Sequence, residues 1–460
     1  MQNRPMTEED AAAVECRETV SLARWPKLRD LRKKLGCKAK QQKRFRFYSL
    51  YAHICREDTL WAAWATVKRN NGAPGVDGVR IEQIRATPEG EAAFVEAIRK
   101  ALIERTYRAQ AVRRVYILKA NGKLRPLGIP VIADRVVQAA VRLIIEPIFE
   151  ADFEECSHGF RPGRSAHDAI GSVERGIQEG RRAIYDADLA GYFDSIPHDK
   201  LLEGVRQRVV DGAVLGLIRQ WLEAPVVEPP GEDDDESGRP GPPQVKRHEQ
   251  GTPQGGVLSP LLANLHLHWF DRAFHGKEGP AQWANARLVR YADDFVILAR
   301  YVGQRMQRWI KEKIETRLGL TINREKTRVI EDLRAEGQNL QFLGYSIRYA
   351  HDLHGRGTRY LCIEPSAKAC KAQRQKIKEA LSPRQSHTPL PELIDRLNLQ
   401  LQGWANYFRL GYPRKAMRDM NGYVRAKLTW HLQRRSQRSW RPPKGESAYA
   451  YFKRMKLIQL

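Results

Sequence analysis

Acidic residues are in short supply: 54 Asp and Glu stand against 79 Lys and Arg among 460 residues, a formal net charge of +25 and a pI near 9.9. A surplus of that sign favours a polyanionic partner, nucleic acid first. Long apolar runs are missing too. No stretch approaches the length of a membrane span and the mean hydropathy is −0.58, so no membrane partner is expected. Met1 to Asp10 lacks the apolar core of a signal peptide, which predicts a cytoplasmic, nucleoid-associated protein. Cysteine is sparse. Cys16, Cys37, Cys55, Cys156, Cys362 and Cys370 are scattered with no Cys-x-x-Cys, so reduced thiols are the default and no zinc site is announced. The histidines lack metal-ligand spacing, and no Ser-His-Asp or catalytic-cysteine arrangement emerges.

What is present is acid chemistry in two places. Tyr291-Ala292-Asp293-Asp294 lies between the apolar runs Leu288-Val289 and Phe295-Val296-Ile297-Leu298, a pattern that predicts two strands joined by a tight turn carrying adjacent carboxylates. An isolated Asp-Asp pair is more often a solvated turn. A second acidic site changes that reading. In Ala183-Ile184-Tyr185-Asp186-Ala187-Asp188-Leu189 the alternation predicts a strand with Asp188 near its end, where it can meet a neighbouring hairpin. Asp188, Asp293 and Asp294 would then hold two metals about 3.5 to 4 Å apart. Asp186 and Asp194 serve equally well as turn caps.

The rest of the chain, too long for a single ordinary core, supplies cations and loops. Residues 1–46 predict a mobile or helical basic arm, with Arg32, Lys33, Lys34, Lys38, Lys40, Lys43, Arg44 and Arg46 at its end. A helix is expected over 47–70, broken by Asn71-Gly72-Ala73-Pro74-Gly75-Val76-Asp77-Gly78. Residues 113–130 read as a basic β-hairpin in which Lys119, Lys123 and Arg125 reach a triphosphate or merely protect a strand edge. A helix with one buried face follows, over about 132–149. His158 to Ser165 is a glycine- and cation-rich loop whose Arg161 and Arg164 suit phosphate or RNA. Residues 223–250 form an acidic, Pro/Gly-rich excursion with no periodicity to support a core. After it, Gly251-Thr252-Pro253-Gln254-Gly255-Gly256 precedes a helix with Ser259 as N-cap, running through Asp271. Another helix over about 303–318 stops at Gly319, and Leu320 to Ile322 begin a strand. From about 365 the pattern is helical and basic, ending in Arg434, Arg435, Arg438 and Trp440, an interleaving suited to phosphate contact and base stacking.

Taken together and in this order, the Asn71 to Gly78 loop, the hairpin from Lys119, His158 to Ser165, Asp188 to Asp194, Gly251 to Pro260 and Tyr291 to Asp294 resemble the reverse transcriptase and maturase proteins encoded by bacterial group II introns. Gly319 to Thr327 and Phe342-Leu343-Gly344-Tyr345 look like later palm motifs, the latter near the primer grip, and Leu401 to Arg409 resembles the maturase, or thumb, signature. The likeness runs from about Tyr51 to Arg438. It implies an α+β right-hand polymerase with fingers, a palm built on antiparallel sheet, and a helical thumb. The resulting domains are a basic arm (1–46), N-terminal extension and fingers (47–182), palm (183–364, with the acidic loop 223–250), thumb or maturase domain (365–438) and a short basic tail (439–460).

By that resemblance Asp188, Asp293 and Asp294 bind Mg²⁺, two ions with Mn²⁺ as a substitute, and the Leu189 carbonyl adds a ligand. Lys119 and Arg125 grip the triphosphate, Phe193 excludes a ribose 2′-hydroxyl, Gln254 lines the nucleotide pocket and Lys326 lies near the triphosphate. Arg161, Arg164, Arg434, Arg435 and Arg438 contact RNA. Two departures stand out: Ala190 occupies a position where many relatives have Lys, and the 223–249 connection is longer than usual. The partners implied are group II intron RNA, an RNA template with a DNA primer, dNTPs and target DNA. The function implied is RNA-directed DNA synthesis together with help in intron splicing and retrohoming. With no Cys/His cluster after Trp440, an endonuclease is not expected. Two other readings fit the same residues: a polymerase domesticated for repair or phage defence, and a non-catalytic splicing factor.

Overall fold

The structure, a computed structural model, describes residues 22–118, 122, 124–229, 244–246, 250–252, 255–352, 358–435 and 440–460. It has two compact units, Met1–Ala169 with Ala187–Arg328, and Ile170–Asp186 with Val329–Leu460. Helix and sheet are mixed in both, as expected for an α+β chain.

In the first unit the organising element is the helix Ile132–Glu150, which buries Val136, Val137, Ala140, Val141, Ile144, Ile145 and Ile148. The basic helix Pro26–Gln41 docks on it. Leu28, Leu35 and Ala39 share its buried face, and Arg32 donates to Glu146 at 2.7 Å and to the Leu143 carbonyl. The described part of the expected arm is therefore helical and packed, held by its own apolar stripe. The helix expected over 47–70 is two pieces, Tyr51–Ile54 and Glu57–Asn70, because the chain turns at Cys55 and Arg56.

Strand β1 (Val112–Leu118) pairs antiparallel with β2 (Leu124–Ile129), from Arg113 opposite Ile129 to Leu118 opposite Leu124. Two short strands on the far side of β1 were not foreseen. Strand β4 (Val226–Val227) runs parallel to β1 and pairs antiparallel with β5 (Val245–Lys246), while β3 is Ala183–Ala187. Buried Val112, Ala224 and Val226 cluster there, so the stem of the acidic excursion contributes to a core. Two-residue strands carry too little alternation to be read from sequence.

Strands β6 (Arg287–Tyr291) and β7 (Asp294–Ala299) form the predicted hairpin, with Tyr291 opposite Asp294. Beside them in the chain, the helix Ser259–His275 starts one residue earlier than expected, with Ser259 as its first helical residue, and continues one turn past Asp271. The helix Gln304–Lys311 relaxes into a π-helical stretch, Glu312–Leu318, and Gly319 ends it at φ 73°.

In the second unit β9 (Leu340–Phe342), β10 (Tyr345–His351) and β11 (Arg359–Pro365) make an antiparallel sheet in the order β11-β10-β9, while β8 (Arg328–Ile330) precedes them in the chain. Helices Ala367–Ala380, Leu390–Tyr407, Arg414–Gln433 and Ala448–Arg454 follow. Two motifs read separately in the sequence meet here. The Tyr407 hydroxyl donates to the Leu343 carbonyl at 2.9 Å, and the Tyr345 and Phe408 rings meet at a tilt, 5.1 Å between centres. The tail is packed as well: Phe452 is buried, and Asn421 exchanges hydrogen bonds with the backbone of Leu460. No helix among the described residues is long and apolar enough to cross a membrane.

Candidate active site

The β6–β7 connection is only two residues, Ala292 and Asp293, and Ala292 takes a left-handed φ of 57°. A non-glycine residue there costs about 1 kcal/mol or more, so the surroundings must hold it. Asp293 is half-buried and Asp294 exposed. The Asp293 pKa is raised, by burial first and then by the charge of Asp188, while Arg125 and Lys326 pull it back. Carboxylates 105 residues apart, 188 against 293, thus share one field.

Asp188 leaves the end of β3 and is pinned by a segment expected to be a strand. Leu320 to Ile322 makes only an isolated bridge, Ile322 to Leu189, flanked by Ala190 N–H donating to the Thr321 carbonyl and Asn323 N–H to the Asp188 carbonyl, both at 2.8 Å. The left-handed Gly319 and the turn at Asn323 leave no room for a longer ladder. The Asp188 carboxylate accepts from Lys326 Nζ at 2.7 Å and Asn323 Nδ2 at 3.2 Å. Asp188's hydrogen bond, and then its charge, lift the Lys326 pKa despite partial burial. Among the described residues no three His, Cys, Asp or Glu side chains gather tightly enough to cage a metal ion, and Lys326 supplies the cation beside Asp188. The donors themselves suit a hard divalent ion: carboxylate oxygens, one destabilised by a like charge.

Of the residues expected on the nucleotide side, Arg125, Phe193 and Lys326 are described. Arg125 on β2 is half-buried, and its charge reaches Asp293. Phe193, in the short helix Tyr192–Ser195, is 6% exposed and meets Phe160 edge-on at 6.2 Å. Its carbonyl accepts from Thr252 N–H at 2.7 Å, which ties the Gly251-Thr252 segment to the residues after Asp188. Gly255, at φ 116°, lies so close to the Gly128 carbonyl that a Cβ would collide with it, so this loop is pressed onto β2. Lys119 and Gln254 lie outside the described residues.

Behind the acidic turn sits a residue that motif reading passed over. Arg290 is fully buried and pairs with equally buried Asp271 at 2.6 Å. Burial, the largest influence, lowers its pKa, but the Asp271 charge and hydrogen bonds together outweigh it and the net shift is upward. Its Nη1 donates to the Ala292 carbonyl and to Asn264 Oδ1, both at 2.9 Å, and Nη2 donates to Ser157 Oγ at 2.8 Å. The available signal was a cation inside an apolar strand and an acid inside an apolar helix face.

Residues 117–347, half of the chain, match the reverse transcriptase (RNA-dependent DNA polymerase) family. The chain belongs to the reverse transcriptase family. Residues 370–448 of this reverse transcriptase match the maturase-specific domain of group II introns. Protein YkfC of Escherichia coli (strain K12) is 33% identical over 337 residues, covering 65% of this chain and 84% of that protein. Group II intron-encoded protein LtrA of Lactococcus lactis subsp. cremoris is 32% identical over 363 residues, 66% of this chain, and the match spans 57% of LtrA's length. Among solved structures, telomerase from Candida albicans in complex with a fragment of telomeric RNA matches at 12% identity and a TM-score of 0.41, over 81% of this chain and 68% of that one. Family membership carries the right-hand polymerase plan, an RNA template and divalent-metal chemistry in general.

The arginines expected to touch RNA fare differently in this reverse transcriptase. Arg161 corrects the expectation: it is buried, donating to Glu150 at 2.6 Å and to the Ser157 carbonyl at 2.8 Å, because the loop folds back over its own guanidinium. Arg164 pairs with Glu155 and stays part-exposed. Arg434 donates to the Leu381 carbonyl at 3.0 Å, and Arg435 to the carbonyls of Ser386, at 2.7 Å, and Thr388, so both brace the loop before Leu390–Tyr407. Arg438 lies outside the described residues. Trp440, expected to stack on bases, instead stacks on Phe452 at 5.7 Å and 16°.

Proposed function

We propose that this reverse transcriptase copies RNA from a DNA primer at a site in which Asp188, Asp293 and Asp294, with the Leu189 carbonyl, hold two Mg²⁺ ions, Mn²⁺ substituting. The observation that carries the reading is the two-residue β6–β7 turn, which sets Asp293 beside Asp294 and within the field of Asp188 at the end of β3. Bound there, the ions would activate the primer 3′-hydroxyl and stabilise the leaving pyrophosphate. The protein's own groups do the rest. Arg125 and Lys119 draw the triphosphate in, and Lys326, whose side chain is 61% exposed, exchanges Asp188 for an incoming phosphate oxygen. Phe193 closes the space beside the ribose C2′ and Gln254 lines the same pocket.

The second part of the reading is that the thumb, residues 365–438, binds group II intron RNA to assist splicing and retrohoming on target DNA, with residues 47–182 as extension and fingers and 183–364 as palm. A surface on Arg414–Gln433 favours it. Lys427 Nζ lies 5.6 Å from the Tyr423 ring centre and 4.6 Å from that of Trp430, which is 61% exposed. Exposed rings framed by cations stack bases and meet phosphates.

Asp293→Asn should abolish primer extension on an RNA template with Mg²⁺ while RNA affinity stays within about twofold, since it removes one charge from the catalytic centre and none from the RNA-binding face. Extension at the wild-type rate would remove the site assignment.

A further inference from the structure

We propose that the buried Arg290–Asp271 pair is a positioning device for the catalytic turn, setting where Asp293 and Asp294 stand rather than merely stabilising the fold. The proposal rests on the active-site reading given above. All five guanidinium donors of Arg290 have a use: Nε and Nη2 go to the Asp271 carboxylate at 2.9 and 2.6 Å, Nη2 also to Ser157 Oγ, and Nη1 to Asn264 Oδ1 and the Ala292 carbonyl. The last acceptor is the residue immediately before Asp293, and the one in the left-handed conformation.

The other partners converge on the same peptide. Asn264 Nδ2 donates to the Gly159 carbonyl at 2.7 Å, and Gly159 packs so tightly on the backbone of Tyr291 and Ala292 that a Cβ there would collide with it. Backbone bonds of 2.8 Å from Arg290 to Cys156 and from His158 to Arg290 complete the clamp. One guanidinium therefore joins the helix Ser259–His275, the 156–159 segment and the turn itself. A fully desolvated ion pair is a poor way to gain stability, because well-packed apolar residues of similar volume often do as well or better. A planar fork of fixed geometry does what they cannot, which is to fix a carbonyl in place.

The double variant Arg290→Met with Asp271→Leu removes the pair without leaving a lone buried charge. We expect it to fold and bind RNA as the wild type does, with kcat down about 100-fold and the dNTP KM within about twofold, as for a misplaced reacting group. In the metal-free protein, amide hydrogen exchange across residues 288–295 should quicken while the rest of the chain is unchanged. Ser157→Ala, which withdraws one acceptor, carries the same test at about 10-fold should the double variant fail to fold. Wild-type kcat with wild-type exchange in the turn would overturn the positioning role. Asp293→Asn, run alongside, separates the cases: if it remains active the site reading itself falls, and if it is inactive while the Arg290 variants are at full rate, only the role of Arg290 falls.

Discussion

Phe193 shows what a single side chain contributes once its neighbours are known. It is almost fully buried against Phe160 and Tyr192, so truncation opens a space there without withdrawing a hydrogen bond. Phe193→Ala should raise ribonucleotide incorporation relative to dNTPs by about 10- to 100-fold, the discrimination a steric pocket typically supplies. Competition between rNTPs and dNTPs in primer extension measures it, and an unchanged ratio would remove Phe193 from the role. Burial also governs His158, His266 and His268, each pushed down to about 4. Their folded values lie below the ordinary 6.5, so as pH falls the unfolded chain takes up these protons first. The stability they contribute is complete above about pH 6.5 and is lost between there and about pH 4. Melting temperatures should drop steeply across that window, and His266→Gln should make the drop shallower; parallel curves for the two proteins would show that His266 does not share in it. At this scale the placement of the acids was legible, because alternation ends a strand just before Asp188 and apolar runs flank the tight turn at Asp293. Arg161 was not, since an arginine in a glycine-rich loop reads the same whether it faces solvent or its own carbonyls.

Secondary structure was legible where a period ran long enough. Ile132–Glu150 and the β6–β7 hairpin follow their apolar spacing closely, whereas β4 and β5 have two residues each and leave no period to detect. Leu320 to Ile322 failed as a strand for a different reason: a helix ends at Gly319 just before it and a turn begins at Asn323 just after, so it makes one bridge and then departs. The tight join between the 156–159 segment and the hairpin was invisible in either piece alone. It yields a prediction. Gly159→Ala places a methyl group in collision with the Ala292 nitrogen, so segment and turn must separate, at a cost of about 1–3 kcal/mol for an overpacked site. Denaturant melts should register that loss and primer extension should fall with it. A variant of wild-type stability would mean that the contact relaxes freely.

For the molecule as a whole, the net charge of +25 pointed to nucleic acid but not to which face would bind it. The structure moves attention from the cationic run around Trp440, whose ring is occupied by Phe452, to Tyr423, Lys427 and Trp430. Lys427→Ala should reduce the slope of log affinity for single-stranded RNA against log salt by about 0.7, the share of one phosphate contact. Trp430→Ala should cost about 1–3 kcal/mol with the slope unchanged, as loss of a stacking platform does. Binding isotherms at several salt concentrations distinguish the two, and no change in either would assign RNA to another surface. The division of the chain has one more result. Ile170–Asp186 belongs with Val329–Leu460, and the Arg182 carbonyl accepts from Leu333 N–H at 3.0 Å. Ile170, Val173 and Ile177 in that stretch are buried. Cutting the gene after Arg328 would therefore strand Ile170–Asp186, the stretch that leads into Asp188. Any shortened version of this protein must keep Val329–Leu460 or supply another cover for Ile170, Val173 and Ile177.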